Sequence, residues 1–509
     1  MAMRALLGVV AGGVVLAGAV PVQAGRYRTG LIPEDLNRVP WMVEVRSVPV
    51  RPGRPSADTL IEVDHSAEMP PVGDQSSQGS CVAWAVGYYH KTHTEWVEHG
   101  WDVTDPHQQF SPAFIYNQVN GGIDGGTSGS VAMRLTCEQG IASLADCHYN
   151  ALDHLTWPSE TAYCRALPFR DSVARFINIY DSSGLSRARQ QLANGYTGIL
   201  GIKVWDNFGD IQNYDYTYCS SERCGTMGGW HAVTIVGYND TMTTSDGPGA
   251  FKLVNSWGEG WGLGGYGWMS YVAVMDTAMG SRQLEYAVDR VGYQPELIGR
   301  ARITHPARDR VGIRLGLVPV ESPLWSRDFR TWRWPGEDHP FPDHNIVFDL
   351  TDGAWLLGGG PEDSAFLAVI DDSLDGQTGT IDFFSVEHLE RGTAGVSNET
   401  PVGIPDDGVQ AVATASIPAG GVEEGANAEA RSANWTATIV GNVLRLPEAS
   451  GVKRQASSVL LDAAGRRVTE LVPGENDVSR LGPGVYFVRE GPRGQASQGP
   501  RVRKVVVSR

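Results

Sequence analysis

The sequence predicts an α+β chain followed by all-β modules, and three observations carry that prediction. Residues 81–99 repeat apolar and aromatic side chains at intervals of three and four. "GILGIKVW", "HAVTIVGY" and "AFKLVNSW" are short β-branched runs between turns. Beyond about residue 290 the chain reads as short strands separated by turn residues. At 509 residues it is too long for one core, so several domains are expected. Hydrophobic residues make up 41% and charged residues 19%, the composition of a globular protein, and the formal net charge of -17 argues against a nucleic-acid partner.

Taken in order, residues 1–24 read as a signal peptide. One positive charge at Arg4 precedes a nearly apolar stretch, and Val22-Gln23-Ala24 has the small residues of a cleavage site. The stretch is short and glycine-rich for a bilayer span, and no later run is apolar enough for one. The mature chain is therefore expected to be exported, released or held at a cell surface, not membrane-spanning, and a monomer. Residues 25–67 are rich in Pro and Arg with little periodicity, consistent with a short pro-segment or N-terminal arm.

The first folded domain is placed at 68–290. Trp84, Ala85, Tyr88, Tyr89, Thr92 and Trp96 mark an amphipathic helix that stops at Gly100, with Cys81 in its first turn. Strands are predicted at 198–205, 231–238 and 250–257. Runs at 310–318, 345–350, 365–370 and 380–386 predict a β-sandwich over 291–397. An Ala-, Gly- and Pro-rich stretch at 398–437 reads as a linker, and 438–509 as a small C-terminal β-domain.

All six cysteines lie between Cys81 and Cys224, and export would place them where disulfides form. Cys219 with Cys224 is the easiest pair and Cys147 with Cys164 the next, leaving Cys137; the spacing does not settle the connectivity. No Cys-x-x-Cys occurs, so a cysteine-bound zinc is not expected.

Cys81 is the candidate nucleophile. A thiol works as thiolate, and a helix start and a nearby imidazolium lower its pKa. His231 in "GGWHAVTIVGY" sits at the mouth of a strand and is the candidate base. Asn255 in "LVNSWGEGWG" can orient its ring, with Trp257 shielding that hydrogen bond. Attack on a carbonyl develops negative charge on oxygen, and the Gln75 side-chain amide with the Cys81 backbone N–H can hold it.

Gln75, the Gly79-Ser80-Cys81 turn, Trp230-His231-Ala and Asn255-Ser-Trp257-Gly in this order resemble the papain-like (C1) cysteine peptidases, over roughly residues 60 to 275. The resemblance implies a two-lobed fold, a helical half against a β half, with substrate in the cleft. It implies Cys81 as nucleophile, His231 as general base then acid, Asn255 as orienter and Gln75 as oxyanion donor. Gly125-Gly126 would pair with substrate backbone, Trp230 would help shape the site, and no metal or organic cofactor is needed.

The departures are Gln78 where the family has a cysteine, no cysteine near Gly126, Val82 after the nucleophile, and no long helical pro-segment. This is more similar to bacterial members of the family than to lysosomal ones. The expected partners are a protein or peptide substrate and export machinery. The C-terminal domain, through "LLDAAGRRV" and "LGPGVYFVR", resembles the Ig-like sorting domains of the type IX secretion system, and the middle one resembles jelly-roll modules.

Two rival functions share these residues: an acyltransferase using the same triad, and a binding or adhesion protein on a dead peptidase fold. The segment "DDSLDGQTGTID" (371–382) has acidic residues near calcium-loop spacing, though predicted strands flank it.

Overall fold

The structure, a computed structural model, describes residues 28–329, 331–333, 336–357 and 363–417, together with strands between 437 and 507. The expected signal peptide at 1–24 and residues 418–436 of the expected linker lie outside the described residues. No helix among the described residues is long and apolar enough to cross a membrane.

The helical half is organised around one continuous rod. Cys81–Ala83 is α, Trp84–Lys91 has the wider π register, and Thr92–His99 is α again. Gly100 ends it in the left-handed region, φ 66°, where glycine has no Cβ to clash. The sequence predicts an amphipathic helix here, but the rod is buried on every side from Cys81 to Glu95. Its polar residues are internal because each finds a partner: His90 Nδ1 meets Thr197 Oγ1 at 2.8 Å, and Lys91 Nζ meets Asp171 at 3.0 Å and Asp289 at 2.6 Å. Three further helices, Pro112–Val119, Gly129–Gln139 and Glu160–Ala166, open on serine caps. Ser111, Ser128 and Ser159 each accept a backbone N–H of the first turn, donors that would otherwise be left unpaired.

Opposite the rod stands a nine-stranded sheet. Its central strands are Gly280–Asp289, Gly198–Val204, Gly229–Thr244 and Gly247–Val254, paired antiparallel. The predicted strands at 198–205, 231–238 and 250–257 fall within or beside these. The arm is tied into the sheet twice: Val43–Glu44 pairs with Asp171–Asn178, and Glu62–Asp64 pairs with Gly229–Thr244.

The next unit consists of two antiparallel sheets. One orders Ile346–Asp349, Leu297–Thr304, Gly379–His388 and Thr393–Val396, with Val402–Ile404 also on Gly379–His388. The other orders Trp325–Phe329, Val311–Leu317, Ser364–Asp371 and Ala411–Ser416.

The unit therefore runs past the boundary expected at 397. Ala411, Ala413 and Ala415 alternate inward and are buried, a strand pattern that small residues disguise as linker composition. A buried ion pair docks this unit on the first: Arg170 Nη1 lies 2.6 Å from Asp349 Oδ2, and Trp157 packs on Trp332 with centroids 5.2 Å apart. Beyond residue 437 a five-stranded and a two-stranded sheet follow.

The two expected disulfide pairs are not made, and all six cysteines are free. Cys219 is buried while Cys224 is exposed, with its sulfur 3.2 Å from the Tyr214 hydroxyl. Cys147 bonds Ser111, and Cys164 lies 4.0 Å from Arg300 Nη2. Each pair is close in sequence but turned into different surroundings.

Candidate active site

Cys81 begins the long rod, and the loop before it is held from three sides. Gly79 N–H donates to Asp124 Oδ1 at 2.7 Å, Ser80 Oγ bonds the Tyr149 hydroxyl at 2.9 Å, and Trp84 N–H donates to the Ser80 carbonyl at 3.1 Å. Asp124 also accepts the Tyr116 hydroxyl at 2.6 Å. The Cys81 sulfur takes backbone hydrogen bonds from Ala232, the residue after His231, and from Gly30.

His231 lies near the start of the Gly229–Thr244 strand, and Asn255 follows directly on Gly247–Val254. His231 Nε2 is 2.7 Å from Asn255 Oδ1. An amide oxygen only accepts, so Nε2 carries the proton and Nδ1 keeps its lone pair. That Nδ1 is buried with no partner of its own. Trp257 lies over the imidazole at 4.5 Å between centroids, with Phe208 at 6.2 Å, so the His231–Asn255 bond is kept from water.

Gln75 is fully buried and fixed at both ends of its amide. Its Oε1 accepts the Ser256 hydroxyl at 2.7 Å. Its Nε2 donates to the Gln78 carbonyl at 2.8 Å and to the Arg28 carbonyl at 3.2 Å.

The Arg28 carbonyl belongs to a segment that crosses the cleft. It also accepts Trp257 Nε1–H at 3.0 Å. Thr127 N–H donates to the Gly30 carbonyl at 3.0 Å, Ile32 N–H to the Thr127 carbonyl at 2.9 Å, and Leu31 N–H to the Trp230 carbonyl at 3.1 Å. The Arg28 guanidinium donates to the Asp124 carbonyl at 2.7 Å. Two glycines permit this approach: a Cβ on Gly30 would overlap the Gly79 carbonyl, and one on Gly126, at φ +100°, would overlap the Gly30 carbonyl.

Within the cleft the arm's backbone pairs with Thr127, next to the Gly125-Gly126 stretch expected to pair with substrate. Gly126 gives the arm space and donates its N–H to the Tyr116 hydroxyl at 3.2 Å, and a Cβ on Gly125 would face Ile123. Trp230 shapes the cleft through its carbonyl, while its indole lies under Lys203 at 5.2 Å.

Burial governs the charge state. The Cys81 thiol is pushed up to about 11 by burial, against the backbone N–H groups around it. His231 is pushed down to about 4 by burial, against its bond to Asn255. The helix start is expected to favour thiolate, but beneath residues 28–32 desolvation is the larger effect, and the pair rests neutral.

Four contributors escape the sequence reading: residues 28–32, Thr127, Ser256 and Asp124. Ser256 and Asp124 adjoin the quoted motifs and could have been flagged as polar neighbours; nothing in "RTGLI" marks it as a cleft segment. In the hairpin at 371–382, Asp371 and Asp375 approach Asp406, but Asp371 already accepts His305 Nε2–H at 3.0 Å and Ser373 Oγ–H at 2.6 Å.

Residues 60–293 match the family described as papain family cysteine protease. An uncharacterized peptidase C1-like protein of Acanthamoeba polyphaga mimivirus is 25% identical over 217 residues, 41% of this chain and 67% of the relative. Among solved structures, xylellain, a cysteine protease from Xylella fastidiosa, is 20% identical with a TM-score of 0.41, covering 52% of this chain and 97% of its own. Bromelain from Ananas comosus is 20% identical with a TM-score of 0.35, covering 45% and 99%. The family match places residues 60–293 among the papain-family cysteine proteases, and the module is a peptide hydrolase.

Proposed function

We propose that this chain is an exported cysteine endopeptidase with a Cys81–His231–Asn255 triad, seen here with its own N-terminal arm across the cleft. The single observation that carries the triad is the His231 tautomer: Asn255 holds the proton on Nε2 and leaves the buried Nδ1 with a free lone pair that can accept one. His231 Nδ1 takes the Cys81 proton as sulfur bonds the scissile carbon, and the carbonyl electrons move onto oxygen. Gln75 Nε2–H and the Cys81 N–H stabilise that oxyanion. Collapse to the thioester breaks the C–N bond, and the imidazolium gives its proton to the leaving amine. Water then attacks the thioester, His231 takes its proton, and the acid leaves as the thiol is restored.

The latent state follows from shared donors. Gln75 Nε2 and Trp257 Nε1 hold the Arg28 carbonyl, so substrate engages Gln75 only after residues 28–32 withdraw. The remaining parts of the reading are a jelly-roll-like sandwich after the peptidase, an Ig-like C-terminal domain that sorts the chain for export, and release or retention at the cell surface as a monomer. Labelling of the mature chain by an epoxide thiol inhibitor, beside peptide-library hydrolysis, tests the triad. Both are expected to disappear in Cys81→Ala; retained hydrolysis overturns it.

A further inference from the structure

Away from the cleft, three donors converge where the arm meets the long rod. His65 caps the 3-10 turn Ser66–Glu68. Side chains three apart on such a turn eclipse, so His65 and Glu68 project to one side. His93 reaches the same place from Thr92–His99. Glu68 Oε2 lies 2.9 Å from His65 Nδ1 and 3.0 Å from His93 Nε2, and the three atoms lie within 4.8 Å of one another.

The hydrogen bonding leaves this cluster short of a positive charge. His65 Nε2 is 2.9 Å from the Leu192 carbonyl, which can only accept, so Nε2 holds the proton. In a neutral ring, His65 Nδ1 is then a lone pair facing a carboxylate oxygen. Two acceptors at that distance need a cation between them or an extra proton on one. His93 Nε2 aims at the same oxygen, while its Nδ1 is buried and unpartnered. His93 is 0% exposed and His65 7%, so both rings are held in place by packing.

We propose that His65 Nδ1, Glu68 Oε2 and His93 Nε2 form a structural site for a divalent first-row transition ion, with zinc the best match. Two imidazoles and one carboxylate suit that class. The His65–Leu192 hydrogen bond is the outer contact that a metal-bound histidine usually makes. The Glu68 side chain is 30% exposed, which gives an entry path and room for water as fourth ligand. Arg54 bears on His93 and works against a cation, so the affinity is lower than these ligands would give alone. The ion staples the end of the arm to the rod that starts at Cys81.

Titration of the full chain with Co2+ tests this, because its visible bands report the ligands. The expected result is one strongly bound equivalent with bands of nitrogen and oxygen ligation, no sulfur charge-transfer band, and displacement by Zn2+. Glu68→Gln and His93→Gln are each expected to weaken binding by about tenfold or more. His93 is buried and its variant could misfold; Glu68→Gln, near the surface and of equal size, carries the test if circular dichroism shows it folded. Absence of Co2+ uptake, sulfur bands alone, or unchanged binding in folded Glu68→Gln overturns the proposal and leaves a His65 imidazolium paired with Glu68.

Discussion

Gly30→Ala should unseat the segment over Cys81. The added methyl meets the Gly79 carbonyl, which is backbone in a braced loop, so the arm must move rather than its neighbour. The hydrogen bonds at risk are those of Arg28, Gly30, Leu31 and Ile32 to Gln75, Trp257, Thr127 and Trp230. Each is worth about 1 kcal/mol, so their joint loss would shift the closed state by roughly 3 to 5 kcal/mol.

Ionisation gives a second, independent magnitude. The thiol now stands at about 11, against an ordinary value of 9.0, and burial is the cause. Returning to the ordinary value multiplies the thiolate fraction at pH 7 by about 100. The assay is alkylation by iodoacetamide over a pH series, with the Cys81 peptide quantified by mass spectrometry. We expect up to about a 100-fold faster reaction at pH 7 and a lower pH midpoint. Gly403→Ala, where the added methyl meets nothing, is the control. An unchanged rate and midpoint in Gly30→Ala would refute the claim that the arm sets the charge state.

Other perturbations test separate parts. Ser256→Ala removes the hydroxyl that holds Gln75 Oε1, and kcat of the activated enzyme should fall about tenfold with KM little changed, less than loss of a whole oxyanion donor costs. Lys91→Met leaves Glu95, Asp171 and Asp289 without their shared cation, and denaturant titration should show a loss of about 3 to 5 kcal/mol. Glu285 is buried and pushed up to about 8 by burial and by Glu34, and its Oε2 has no partner. Its contribution is present below about 4.5, the value of an exposed carboxyl, and lost as pH rises to about 8. The melting temperature should therefore drop between pH 5 and 8, and drop less in Glu285→Gln.

Much of the candidate site was legible because its chemistry is local in sequence. Cys81 after Gly79-Ser80, His231 at a strand mouth and Asn255 before Trp257 each have a short context that names them. What was not legible depends on pairing across long separations. Residues 28–32 reach Thr127 and Trp230 through backbone groups, which leave no mark on side-chain composition. The burial of His90 and Lys91 needs Thr197, Asp171 and Asp289 from elsewhere in the chain, so periodicity alone read that rod as half exposed. The strand Ala411–Ser416 was hidden by its alanines, whose inward alternation is informative only once the partner strand Ser364–Asp371 is known.

On the proposed function, latency and catalysis compete for one set of groups, so mutating Gln75 acts twice. Gln75→Ala removes a donor from the Arg28 carbonyl, which loosens the arm and raises the fraction of open enzyme. It also removes a donor from the oxyanion, which costs about 10² to 10³ in kcat. The two effects have opposite signs, and activity per milligram measures their product. Titrating open sites with an irreversible thiol inhibitor separates them. Labelling should become faster in Gln75→Ala while turnover per labelled site falls. If labelling instead slows in step with turnover, the amide serves the chemistry alone and the arm is held by its other contacts.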